Sequence, residues 1–282
     1  MAPGRPARRL TTLNPQIAAL RLGAQSEITW KNSKDGRLIY GVLITPLDFQ
    51  SGRRSPLIVQ PHGGPEWAYW LGWHSWSQLL ASNGYAVLLP NPRGSDGQGW
   101  QFIEANRDDW GGMDFRDIMD GVDDLIKRGI ADPDRLGIGG WSYGGFMSAW
   151  AVTQTDRFKA AVVGAAVTDL FSMYGTTDIP TFQTRYFLDL PFKRRAAYDG
   201  HSPMSFIQNC KTPSLILHGQ ADERVPVSQG WEFYTGLRAL GVETEMVVYP
   251  REPHGFEERA HEVDRFRRIL DWYDRHLKEP AR

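Results

Sequence analysis

Short runs of consecutive apolar residues recur along the chain, separated by stretches in which apolar positions return every three or four residues. Leu57-Ile58-Val59, Tyr85 to Leu89, Arg135 to Gly140, Ala160 to Val163, Ser214 to Leu217 and Glu245 to Tyr249 read as strands covered on both faces, which show runs rather than alternation. The spacing predicts helices over Trp76 to Ser82, Phe146 to Thr153, Ser228 to Leu240 and Glu258 to Leu277. A long one spans Asp114 to Lys127, where Phe115, Ile118, Val122, Leu125 and Ile126 share one face. Before these, Glu27 to Lys31 and Arg37 to Ile44 flank the turn Asn32 to Gly36 and predict an antiparallel hairpin.

Strand alternates with helix from residue 57 onward. Right-handed crossovers then give a mostly parallel central sheet, with antiparallel N-terminal strands and helices on both faces. Thr168 to Cys210 interrupts the rhythm: it is rich in aromatics, has no clear strand, and sits where a cap would be inserted. Residues 1–22 are basic, contain proline and read as an N-terminal extension. The expected organisation is therefore an extension over 1–22 and one α/β domain over 23–282, with a cap-like insertion at about 168–210. No internal repeat or low-complexity segment is present.

Composition narrows the function by exclusion. The 282 residues suffice for one large domain with a substantial core. A formal net charge of −1 argues against a nucleic-acid partner or a basic membrane-binding face. The single cysteine, Cys210, rules out an intrachain disulfide and a multi-cysteine zinc site, and reads as a packing residue. The arginine-rich start is followed by no apolar run, and no stretch has the length of a membrane span, so a soluble, cytoplasmic protein is expected. No H-E-x-x-H, dinucleotide fingerprint or Walker loop occurs, so neither metal nor cofactor is implied.

Ligands of open parallel sheets collect at the carboxyl ends of the strands. There the chain places Pro61-His62-Gly63-Gly64-Pro65, then Ser142, Asp222, and finally His254. Ser142 lies in Gly140-Trp141-Ser142-Tyr143-Gly144, a G-x-S-x-G pattern between a strand and a helix. Such a turn exposes the serine hydroxyl at its tip, with glycines where side chains would strike the neighbouring elements. A serine hydroxyl needs a base to take its proton, and the base needs an anion to fix its tautomer. His254 and Asp222 supply them in the order serine, acid, histidine, which is that of the α/β-hydrolase fold. The backbone N–H groups of Gly64 and Tyr143 can form an oxyanion hole. His62 and His218 each precede a glycine in a tight turn and suit structural hydrogen bonding; Asp169 and Glu252 are less well placed than Asp222 to act as the acid. Arg224 can pair with Glu223 or solvent, or face the pocket and bind a substrate carboxylate or carbonyl.

With these motifs the chain resembles the prolyl oligopeptidase family of serine peptidases, most closely its acylaminoacyl-peptidase branch. The resemblance is carried by Gln60-Pro61-His62-Gly63-Gly64-Pro65, Asn91-Pro92-Arg93-Gly94-Ser95, Gly140 to Gly145, Lys211-Thr212-Pro213 to His218-Gly219, Asp222 to Val225-Pro226, and His254-Gly255-Phe256. It implies Ser142 as nucleophile with His254 and Asp222, an oxyanion hole from Tyr143 and Gly64, and Arg224 at the rim of the site. Relatives with tyrosine at the position of His62 use its hydroxyl in the hole; here the backbone donor takes that place. Members usually carry a β-propeller ahead of the hydrolase domain that restricts access to short peptides. This length leaves no room for one, although the first fifty residues resemble the segment that joins the two. The chain is then either the catalytic domain of a longer protein or a standalone hydrolase.

The expected activity is cleavage of peptide or acyl-aminoacyl bonds in short peptides through an acyl-enzyme intermediate. The alternative is a carboxylesterase acting on small esters with the same residues. A non-catalytic module would have lost a member of the triad, and none is lost. Trp67, Tyr69, Trp70 and the aromatics between Phe171 and Phe192 are candidates for the pocket wall, for core, or for a dimer contact. With the N-terminal extension they point to a homo-oligomer.

Overall fold

The structure is a computed structural model that describes residue 8 and residues 10–278. The expected extension at 1–22 thus falls partly on residues 1–7 and 9, which lie outside the described residues. Its described part contains a 3-10 turn at Pro15–Ala19.

An eight-stranded sheet forms the centre, in the order β1-β2-β4-β3-β5-β6-β7-β8. β1 (Ala24–Lys31) and β2 (Leu38–Thr45) form the hairpin, and β2 runs antiparallel to β4 (Ala86–Asn91). β3 (Ser55–Val59), β5 (Ala131–Trp141), β6 (Ala160–Gly164), β7 (Ser214–Gly219) and β8 (Thr244–Tyr249) are parallel to their neighbours. The helices are α1 (Ser75–Ser82), α2 (Trp100–Ile103), α3 (Met113–Lys127), α4 (Tyr143–Gln154), α5 (Leu170–Tyr174), α6 (Pro180–Phe187), α7 (Arg195–Gly200), α8 (Val227–Ala239) and α9 (Arg259–Leu277).

Successive strand residues point to opposite faces, and the runs divide accordingly. Leu57, Val59, Leu136, Ile138, Ala161, Val163 and Ile216 pack with residues of α3, α4 and α8 such as Val122, Phe146 and Phe233. Ile58, Val87, Leu89, Val162, Leu215 and Leu217 pack with α1 and α9 through Leu80, Ile269, Trp272 and Tyr273. This two-sided burial is why the strands appear as continuous apolar runs in the sequence.

The 168–210 segment contains α5, α6 and α7 and a 3-10 helix at Pro203–Asn209, with no strand among its residues. Cys210 is buried. Behind the hairpin, the buried Arg93 bonds both oxygens of Asp117 on α3 at 2.8 and 2.9 Å and reaches Asp35 at 3.0 Å. A guanidinium fork meeting a carboxylate in this way locks the loop after β4 to α3 and to the hairpin turn. No helix among the described residues is long and apolar enough to cross a membrane.

Candidate active site

Ser142 stands between β5 and α4 at φ 62° and ψ −121°, a conformation L-residues rarely adopt. The turn is held on both sides: Ser142 N–H donates to the Gly164 carbonyl at 3.0 Å and Phe146 N–H donates to the Ser142 carbonyl at 2.8 Å. Gly140 and Gly144 are required by close approach. A Cβ on Gly144 would be driven into the Pro61 carbonyl oxygen, and one on Gly140 would come within 2.6 Å of that same atom. The G-x-S-x-G spacing therefore lets the Pro61–Gly64 loop press against the turn.

Asp222 follows β7 and is almost completely buried. One carboxylate oxygen accepts the N–H groups of Arg224 at 3.0 Å and Val225 at 2.9 Å; the other lies 2.8 Å from His254 Nδ1. His254 follows β8, and its carbonyl accepts the Trp141 indole N–H at 2.7 Å, which ties the histidine loop to the residue before Ser142. The Asp222 and His254 loops are joined by Ala221 N–H donating to the Glu252 carbonyl at 2.9 Å.

Ser142, His254, Tyr143, Gly64 and Arg224 line one cavity of about 320 Å³, whose apolar wall includes Trp110, Val167, Met173, Ile179, Phe182 and Val225. A second cavity of about 470 Å³ lies on the other side of Ser142 and Gly64, against His62, Trp67, Tyr69, Trp76 and Trp141. The N–H of Gly64 donates to no other described residue. That of Tyr143, the first residue of α4, has no carbonyl within its own helix to reach.

The other candidates have separate engagements. His62 is buried and bonds Gly63 O and Ser95 Oγ; burial pushes its pKa down to about 4. His218 is buried as well, with Nε2 2.7 Å from the Val225 carbonyl and its pKa lowered by burial. Asp169 caps α5 by accepting the N–H groups of Phe171 and Ser172. Glu252 accepts the N–H groups of Glu257 and Glu258 and faces His261 Nδ1 at 2.7 Å. Arg224 pairs with neither Glu223 nor solvent alone: it bonds Asp178 of the 168–210 segment at 2.8 and 3.1 Å while lining the cavity.

Three residues in or next to the candidate site were not singled out from the sequence. Trp110 lies in a stretch with no assigned element, yet it is buried and its ring meets Tyr143, Phe146, Tyr186 and Phe187. Asp114 lies in the first turn of α3, is fully buried and accepts a hydrogen bond from the Tyr143 phenol; burial first, against that bond, pushes its pKa up to about 7. Its position four residues before Ile118, on the apolar face of α3, was the available signal. Asp178 had none, because its partner is distant in sequence.

The sequence profile of the prolyl oligopeptidase family matches residues 73–280. The chain belongs to that family. It is 38% identical over 279 residues to the uncharacterized peptidase YuxL of Bacillus subtilis (strain 168), covering 97% of this chain and 42% of the relative. It is 32% identical over 246 residues to the acylamino-acid-releasing enzyme of Mus musculus, covering 84% of this chain and 33% of the relative. Among solved structures it resembles the acylaminoacyl peptidase of Pyrococcus horikoshii with a TM-score of 0.90 and 31% identity, covering 98% of this chain and 45% of that one. An acylaminoacyl peptidase in complex with Z-Gly-Gly-Phe-chloromethyl ketone is similar at a TM-score of 0.91 and 31% identity. The chain thus spans less than half the length of these relatives, and the α/β-hydrolase fold accounts for nearly all of it.

Proposed function

We propose that this chain is the catalytic part of a serine peptidase that releases acylated or short N-terminal segments from small peptides. One observation carries the reading most strongly: His254 is tied to the buried Asp222 and lines the same cavity as Ser142. Ser142 Oγ attacks the substrate carbonyl while His254 takes its proton; Asp222 remains ionised and holds the ring with Nδ1 protonated. The N–H groups of Gly64 and Tyr143 receive the oxyanion. His254 then protonates the leaving amine, and water, activated by the same ring, hydrolyses the acyl-enzyme. The apolar wall of Trp110, Met173, Ile179 and Phe182 receives the side chain of the residue that donates the acyl group.

Relatives described as acylamino-acid-releasing enzymes, and a neighbour described in complex with a blocked peptide chloromethyl ketone, support this substrate class. The test is covalent labelling by a fluorophosphonate together with hydrolysis of an acylaminoacyl p-nitroanilide. Wild type should do both and Ser142→Ala neither; labelling that survives in Ser142→Ala removes the nucleophile assignment.

A further inference from the structure

We infer that the aromatic cavity beyond Gly64, walled by Trp67, Tyr69, Trp76 and Trp141, is the leaving-group subsite and selects peptides whose residue after the scissile bond is aromatic or large and apolar. The inference rests on the reading that Ser142 forms an acyl-enzyme whose acyl side chain lies against Trp110 and Phe182.

Four groups surround the reacting carbon in the tetrahedral intermediate. One is Ser142 Oγ, a second is the oxyanion facing the N–H groups of Gly64 and Tyr143, and the acyl chain takes the cavity of about 320 Å³. The leaving nitrogen has one direction left. Ser142 and Gly64 are the residues that line both cavities, so the two open on either side of the reacting carbon. The second cavity also adjoins the group that must protonate the amine, because the indole N–H of its wall residue Trp141 donates to the His254 carbonyl at 2.7 Å.

The wall is apolar. At about 470 Å³ the cavity is larger than the first and falls within the roughly 300–1,000 Å³ over which ligand clefts occur. Trp76 is buried, Tyr69 and Trp141 are half-buried, and Trp67 is exposed. His62, which also lines it, stays neutral above about pH 4 because burial disfavours the imidazolium. Among the described lining residues Glu66 alone is charged, and it is exposed. An aromatic side chain entering this space leaves water and meets ring faces and edges, whereas glycine there leaves the wall wet.

The wall is set before substrate arrives. The rings of Trp67 and Tyr69 meet edge to face at 5.1 Å. Asn91 pins Tyr69 from behind: its side chain accepts the Tyr69 N–H at 2.7 Å and donates to the Tyr69 carbonyl at 2.9 Å. The Trp67 carbonyl accepts the Asp96 N–H at 3.1 Å, and Phe256 meets the Trp141 ring edge to face at 5.2 Å. A preformed wall loses little binding free energy to the ordering of side chains. The segment that begins at Asn91, which has no part in the triad, thus holds the leaving-group side of the site.

A leaving-group subsite also binds the amine in the reverse direction, so it is read by letting amines compete with water for the acyl-enzyme. The amine nitrogen attacks the ester carbon, its N–C bond forms as the bond to Ser142 Oγ breaks, and the amine proton passes through His254 to Oγ. With N-acetylalanyl p-nitrophenyl ester as acyl donor, phenylalaninamide, glycinamide and argininamide are added in turn and the ratio of peptide to acid product is measured, with Ser142→Ala as blank. Wild type should capture phenylalaninamide at least about tenfold more efficiently than glycinamide, a comparison that needs no variant to fold. In W67A that preference should fall at least about threefold. A wild-type preference below about threefold, a preference unaltered in W67A, or better capture of argininamide than of phenylalaninamide overturns the inference. Ester turnover that persists in Ser142→Ala would instead overturn the reading beneath it.

Discussion

Asp222→Asn exchanges one atom in a buried loop and preserves its volume, so its consequences follow from hydrogen-bond direction alone. The carboxylate accepts two backbone N–H groups on one oxygen and faces His254 Nδ1 with the other. An amide has only one acceptor. Turning its NH₂ toward Arg224 and Val225 sets donors against two buried donors, at roughly 1–3 kcal/mol for each bond lost. Turning it toward His254 loses one bond, and the ring can answer by moving its proton from Nδ1 to Nε2. The second arrangement is favoured by about one hydrogen bond, roughly 2 kcal/mol. In it Nε2 already carries a proton and cannot take that of Ser142. The expected fall in kcat is on the order of 10⁴-fold, or about 5.5 kcal/mol of barrier, with KM changed only a few-fold. Steady-state hydrolysis of an acylaminoacyl p-nitroanilide measures it, with thermal unfolding run alongside to show that the loop has kept its structure. A kcat within tenfold of wild type in a folded Asp222→Asn protein would refute the role given to Asp222.

Three further expectations use other parts of the structure. In Gly144→Ala the new Cβ runs into the Pro61 carbonyl, a backbone atom that yields only by moving the Pro61–Gly64 loop; a loss of about 1–3 kcal/mol in urea unfolding and a collapse of activity should accompany each other, and unchanged activity would show that the loop is not pressed against the turn. Arg224→Ala breaks an exposed ion pair with Asp178 and should change stability by less than about 1 kcal/mol, while KM for a substrate with a carbonyl or carboxylate at the rim rises several-fold; an unaltered KM removes Arg224 from substrate binding. The third concerns pH. His62 is lowered by burial from 6.5 to about 4, so the unfolded chain binds the extra proton and stability rises with pH across that window, by up to roughly 3 kcal/mol. Asp114, raised by burial from 3.8 to about 7, binds its proton in the folded state, so stability falls as pH rises from about 4 to 7. The two nearly cancel in wild type, and Asp114→Asn should unmask a rise in stability between pH 4.5 and 6.5; parallel profiles for the two proteins would contradict the burial argument.

The sheet was legible because every buried strand carries its apolar residues in a short unbroken run, and the bounds differ from expectation by a few residues at most. β5 is the largest difference: it begins at Ala131, where Asp132, Pro133 and Asp134 gave no strand signal. Ser142, Asp222 and His254, the proposed triad, stood out in the sequence because each follows a strand end, where chemistry collects in parallel sheets. Contacts made between distant loops were not legible. The Arg224–Asp178 pair and the Asp114–Tyr143 bond join residues whose separation in sequence carries no period, and their polarity alone suits solvent as well as a partner. α2, α5 and α7 were missed because four to six residues hold too little periodicity to stand out. Trp67 and Tyr69 line the cavity beside His62, and Trp67 is exposed like Trp70 and Trp73.

The most direct test of the account is kcat/KM of this chain on paired substrates, an acylaminoacyl p-nitroanilide against p-nitrophenyl acetate and butyrate, with Ser142→Ala as the blank. The account predicts cleavage of the anilide that depends on Ser142. Ester cleavage without anilide cleavage would contradict it and point to a carboxylesterase on the same residues.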